Sequence, residues 1–201
     1  GLGNVVALAG GGAHSLALDI AGAVTAWGAN DSGQTNVPSA ASNVVAVAAG
    51  RSHSLALRAD GTVIAWGAAQ AGAASLAPEL TNAVAVAAGF DHSLALTARG
   101  AVIAWGDNAF GQTNVPPDLG NVQAIAAGGS HSLALRRDGT VIGWGRNDAG
   151  QTNVPAGLSN VVAMAAGARH SLALKAEGTV VCWGAQAQVP AGVMNVAAVA
   201  A

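Results

Sequence analysis

His14, His53, His92, His131 and His170 recur every 39 residues, and each is followed at once by a serine. Such pairs raise two chemistries, a serine nucleophile served by an imidazole base and a metal held by several imidazoles. The spacing argues against both. Consecutive residues of a strand project to opposite faces, so a histidine and the serine after it cannot meet within one strand. Equal spacing also places the five imidazoles on five equivalent elements, whereas a metal needs ligands converging within about 2.0–2.2 Å of one ion. The histidines therefore read as core residues, with ring nitrogens bonded to backbone or to a neighbouring turn. The carboxylates fall mostly in turns and show no paired, buried arrangement suited to acid–base work. Asn30-Asp31-Ser32-Gly33 looks like part of a calcium loop but lacks the alternating acidic series and terminal glutamate. The single Cys182 stands where other units have Ala26, Ala65, Ala104 and Gly143, which marks a buried small side chain and allows no intrachain disulfide. No catalytic residue, no metal site and no cofactor is expected.

The elements that would position these residues share the period. Trp27, Trp66, Trp105, Trp144 and Trp183 are also 39 apart, so the chain divides into repeats at about 4–42, 43–81, 82–120, 121–159 and 160–194. One unit reads Asn43 to Gly50, Arg51-Ser52, His53 to Leu57, a turn at Asp60-Gly61, and Thr62 to Gly67. The segments 44–49, 53–57 and 62–66 carry β-branched and aromatic residues or alternate large with small. Asp60-Gly61 and Asp138-Gly139 suggest tight hairpins with positive φ at both central positions. Val-Pro pairs at 37–38, 115–116 and 154–155 close a fourth segment, Gln-Thr-Asn-Val, expected as an edge strand because proline cannot donate to a ladder. Neither face of 53–57 or 63–66 is charged, so both faces should be covered, large side chains against small. That favours radially stacked blades. The expected fold is all-β, a β-propeller of four-stranded blades forming a single domain over 1–201. Asn195 to Ala201 repeats the opening strand once more, as an extra strand. It suggests either an incomplete part of a larger ring or self-association through an unpaired terminal strand.

Composition removes other classes. The formal net charge is −2 and the eight Lys+Arg are scattered, so no basic stripe invites nucleic acid. The longest apolar stretch, Val5 to Ala13, is nine residues counting glycines, against roughly 20 for a membrane helix, so no membrane span is expected. Five Trp, two Phe and no Tyr are too few for the aromatic girdles of an outer-membrane barrel.

Ala-Ala-Gly-x-x-His-Ser-Leu-Ala-Leu, Asp-Gly-Thr-Val-Ile, Trp-Gly-x-Asn-x-x-Gly-Gln-Thr and Val-Pro together resemble the regulator-of-chromosome-condensation repeat in its short bacterial form, over nearly all 201 residues. The resemblance implies a propeller, typically seven-bladed, and an extracellular or cell-surface bacterial setting. Bacterial members that are secreted inhibitors of β-lactamases suggest inhibition of a hydrolase. A structural repeat segment of a larger surface protein is a further expectation. Nucleotide exchange on a small GTPase belongs to the eukaryotic branch and is not expected.

Binding residues are sought where the copies differ. The pairs before each histidine (Gly12-Ala13, Arg51-Ser52, Phe90-Asp91, Gly129-Ser130, Ala168-Arg169) and the loops after each tryptophan (29–32, 68–71, 107–110, 146–149) vary while the strands repeat. In a meander of strands these loops share one face. Arg51, Phe90, Asp91, Asp107, Phe110, Arg146 and Arg169 are the candidate contacts for a protein partner, since aromatic and arginine side chains dominate interfaces.

Overall fold

The computed structural model describes residues 3–68, 72–74, 80–185 and 188–201. Each unit forms one antiparallel three-stranded sheet. These are β1 (Val5–Gly10), β2 (His14–Asp19) and β3 (Val24–Gly28); β4 (Val44–Ala49), β5 (His53–Arg58) and β6 (Val63–Gly67); β7 (Ala83–Ala88), β8 (His92–Thr97) and β9 (Val102–Gly106); β10 (Val122–Ala127), β11 (His131–Arg136) and β12 (Val141–Gly145); and β13 (Val161–Ala166), β14 (His170–Lys175) and β15 (Val180–Gly184). The first strands of successive sheets lie side by side, and their C-terminal ends surround one axial cavity.

Two expectations are corrected. The fourth segment is not a strand: residues 34–37, 112–115 and 151–154 run as turn and irregular chain. Side chains tie this stretch into a knot. Asn30 Nδ2 donates to Asn36 Oδ1 at 2.8 Å while Asn30 Oδ1 accepts from the Thr35 amide, and Asn108 with Asn114 and Asn147 with Asn153 repeat the pattern. A backbone folded on its own asparagines has no ladder to offer. The hairpin turns also differ. Gly61 is left-handed (φ 81°) but Asp60 is not, and the Gly61 amide reaches the Arg58 carbonyl, so the loop is the three-residue kind with one residue in the left-handed region. Only its glycine is indispensable, and Gly22, Gly100, Gly139 and Gly178 are left-handed likewise.

The extra segment Asn195–Ala201 forms no ladder, yet it docks as a first strand would. Val196 N–H donates to the Gly178 carbonyl at 3.0 Å, as Val44 N–H does to Gly22 at 3.1 Å.

The core lies between sheets. His14, Leu16 and Leu18 share one face of β2, and the two leucines pack on Ala56, Trp66 and Val44 of the next sheet. The pattern recurs with Leu94 and Leu96 against Ala134 and Trp144. A bulky face thus meets a small one, which brings sheets close enough for side-chain hydrogen bonds. On the first sheet the corresponding face is more open: Ala17 is buried, but Trp27 is 43% exposed where Trp66 is 6%.

Closest approach is at the axis. A Cβ on Gly89 would collide with the His92 ring and lie 2.5 Å from the Gly128 carbonyl oxygen of the next sheet; Gly50 and Gly128 are equally confined. Gly89→Ala should lower stability by about 3 kcal/mol in urea unfolding. Gly120→Ala, with nothing within 4 Å of the added carbon, should stay within about 0.5 kcal/mol of wild type.

Candidate functional site: blade junctions and the loop face

The periodic histidines and serines meet after all, but across sheets. His14, His53, His92 and His131 place Nε2 2.9–3.0 Å from the Oγ of Ser54, Ser93, Ser132 and Ser171, each one unit ahead. Every one of these hydroxyls donates its only proton to a backbone carbonyl, that of Gln34, Ala73, Gln112 or Gln151. The serine oxygen must therefore accept from the imidazole, which makes each histidine the neutral Nε2–H tautomer. Trp66, Trp105 and Trp144 donate Nε1–H to the same carbonyls at 2.8–3.2 Å. Because the acceptor is backbone, Ala73 serves where other units have glutamine. The histidine partners are thus neighbouring hydroxyls, not backbone or turn as expected, and the Nδ1 atoms of His14, His92 and His131 are buried without a partner.

Burial depresses all four imidazoles. His53, His92 and His131 are lowered to about 4, with His14 adding to the effect on His53; His14 is also lowered by burial. They are neutral structural hydrogen-bond donors. Among the described residues no group of three or more His, Cys, Asp or Glu could hold a metal. Cys182 is half-buried.

The loops before histidine and after tryptophan open at the same end of the sheets. Backbone bonds belt them together around the axis: Gly12 N–H to Gly50 O, Arg51 N–H to Phe90 O, Phe90 N–H to Gly129 O and Gly129 N–H to Gly167 O, at 3.0–3.2 Å. Inside the belt is a cavity of about 200 Å³ walled by strand-end glycines such as Gly50, Gly89 and Gly128, with Phe90 on its lining.

The candidate contacts form two clusters on this face. Arg51 sits 4.9 Å above the Phe90 ring and 3.3 Å from Asp91. Arg146 sits 4.6 Å above Phe110 and bonds Asp148 at 2.7 Å, and Arg169 reaches the same carboxylate at 3.1 Å. The hydrogen bond from Arg146 is the main cause that holds Asp148 below the usual carboxylate range. Both rings remain exposed, Phe90 at 38% and Phe110 at 49%. Asp107 turns back to accept from Gln112 Nε2 at 2.7 Å, so it braces its loop. Asp148 is the cluster member that sequence reasoning missed; its signal was its place in the variable loop 146–149. Of the loop 68–71, residues 69–71 lie outside the described residues.

Residues 5–34, 44–72, 83–112, 122–151 and 161–187 match the family model described as regulator of chromosome condensation (RCC1) repeat. The chain belongs to that family. The RCC1-repeat chain is similar to solved structures of Prp20p from Saccharomyces cerevisiae (TM-score 0.75, 27% identity, 90% of this chain and 57% of that one) and of the ectodomain of the Physcomitrella patens receptor kinase CR4 (0.81, 26%, 98% and 56%). Human WBSCR16 (0.78, 23%, 96% and 65%) shares the fold. The chain thus spans a little over half the length of the first two. No curated protein matches it. The Prp20p structure is described together with its binding to Gsp1p and histones, and a second one with Kap60.

The asparagine knot that displays Phe110 can be tested directly. Asn108→Ala removes the acceptor of the Thr113 amide. Hydrogen exchange at Thr113 should accelerate, with global stability changed by no more than about 1 kcal/mol.

Proposed function

We propose that this chain is a non-catalytic protein-interaction module whose partner docks on the loop face, through Arg51, Phe90, Asp91, Phe110, Arg146 and Arg169, with Asp107 bracing the loop beneath. The observation that carries this reading is the pair of exposed phenylalanines, each capped by an arginine from an adjacent unit. An exposed aromatic held in place by a cation presents a pre-ordered apolar surface, so little side-chain freedom is lost on binding. The pairs before His14 and His131 are small, Gly12-Ala13 and Gly129-Ser130, which leaves room for a partner to approach. Related propellers engage proteins: Prp20p binds Gsp1p and histones. Chemistry finds no support on this face, because the buried histidines are committed to junction bonds, Asp91 and Asp148 to arginines, and Asp107 to its own loop.

The secreted-inhibitor expectation is a special case in which the partner is a hydrolase, and a β-lactamase panel assayed with micromolar protein tests it. For the general reading, the immobilised chain captures its partner from an extract of the source organism, and binding is then measured with the isolated partner. Phe90→Ala and Phe110→Ala should each weaken binding at least about tenfold, with the fold intact by circular dichroism. Undiminished binding by the folded double variant would refute this surface.

A further inference from the structure

The loop face is assembled across sheet boundaries. Arg51 of the second unit lies on Phe90 of the third, Arg146 of the fourth on Phe110 of the third, and Arg169 of the fifth pairs with Asp148 of the fourth. Whatever separates neighbouring sheets therefore takes this face apart. What joins them beneath it is a row of buried imidazole-to-serine bonds, one per junction.

We propose that these junctions are an acid-sensitive lock, in which protonation of the buried histidines parts adjacent blades and dismantles the loop face. In the neutral Nε2–H tautomer every imidazole proton is bonded. A second proton would go to Nδ1, which at His14, His92 and His131 is buried with no acceptor. It would also create a positive charge close to like groups: His92 is faced by His53 and His131, His53 by His14, and His131 by His170. Among the described residues, the Asp107 carboxylate and a hydrogen bond with the His131 backbone oppose the effect, both at His92. Opening a junction lets the imidazole reach water and ionise freely.

The sign follows from burial. The closed state holds His53, His92 and His131 at about 4 against an ordinary 6.5, so the open state binds more protons between these values. Closure is fully favoured above about pH 6.5 and weakens as pH falls towards 4. At pH 5 each histidine shifts the closed-to-open ratio on the order of 30-fold. Asp60, Asp138, Asp148 and Glu177 are held below their ordinary values by hydrogen bonds from Thr62, Thr140, Arg146 and Lys175 respectively. Their titration comes at lower pH and does not account for a transition in the histidine window.

The junction carries its own reporter, because Trp66, Trp105 and Trp144 donate to the carbonyls that the serines use. Tryptophan emission and near-ultraviolet circular dichroism of the full chain, taken from about pH 7.5 to about pH 4, should show a reversible red shift and loss of ellipticity centred between about 6.5 and 4. His92→Gln keeps an N–H donor towards Ser132 and removes the charge, and it should move the transition to lower pH, raising the closed-to-open ratio at pH 5 about 30-fold. A signal flat down to about pH 4, or a folded His92→Gln chain that superposes on wild type, overturns the proposal. Should that variant not fold, nitrogen-15 NMR of the wild-type imidazoles decides. Nε2–H tautomers that stay neutral at about pH 6 in the closed state support the lock, and imidazolium there overturns it. None of these readouts needs a partner, so they stand or fall separately from the binding surface.

Discussion

One backbone carbonyl per junction organises this molecule. The oxygen of Gln34 accepts the Ser54 hydroxyl and the Trp66 indole, while His14 donates to that same hydroxyl. Two groups come from one unit and two from the next, so neither unit can satisfy its own buried polar atoms. Left unpaired at such depth, each would cost about 1–3 kcal/mol. Neighbouring sheets are thereby held in one register, and the apolar contacts beside the knot, Leu16 and Leu18 on Ala56 and Trp66, are buried.

The rest of the unit follows from how closely sheets must approach to make that knot. Ala56 is small because Leu16 and Leu18 of the preceding sheet pack on it, and Ser54 because the His14 ring reaches it. Gly50 and Gly89 lack side chains because a histidine ring and the next sheet's carbonyl lie where a Cβ would be. Stability arises largely between units, as expected for repeat arrays. The loops then vary freely above a constant frame: the same frame carries Gly12-Ala13 in one unit and Phe90-Asp91 in another, with the belt of amide bonds unbroken beneath. Loop variation is thus separated from the folding frame, except that the Arg–Phe stacks bridge units.

The 39-residue recurrence of histidine and tryptophan, the alternation of leucine with alanine in His53 to Leu57, and a glycine in every hairpin were legible as β-structure because they are local: period, side-chain size and a left-handed backbone angle are properties of a few successive residues. The same locality made Phe90, Phe110 and the arginines stand out, since they break the repeat. Locality also misled. Gln-Thr-Asn-Val-Pro has strand-like composition, but Asn30 and Asn36 are six residues apart and tie the chain on itself. Asp60-Gly61 has the look of a two-residue turn, whereas Gly61 alone is left-handed.

What the residue order settled unaided was the repeat, its β character, and which positions are frame and which are free. What tertiary structure alone decided was partnership. A histidine and a serine forty residues apart become hydrogen-bonded only when one sheet is laid on the next, and the arginine that caps Phe90 comes from the unit before it. The physical reason is that a strand's own ladder satisfies its backbone but leaves its two faces open, so buried side chains on those faces such as His53 and Trp66 find their partners in another unit.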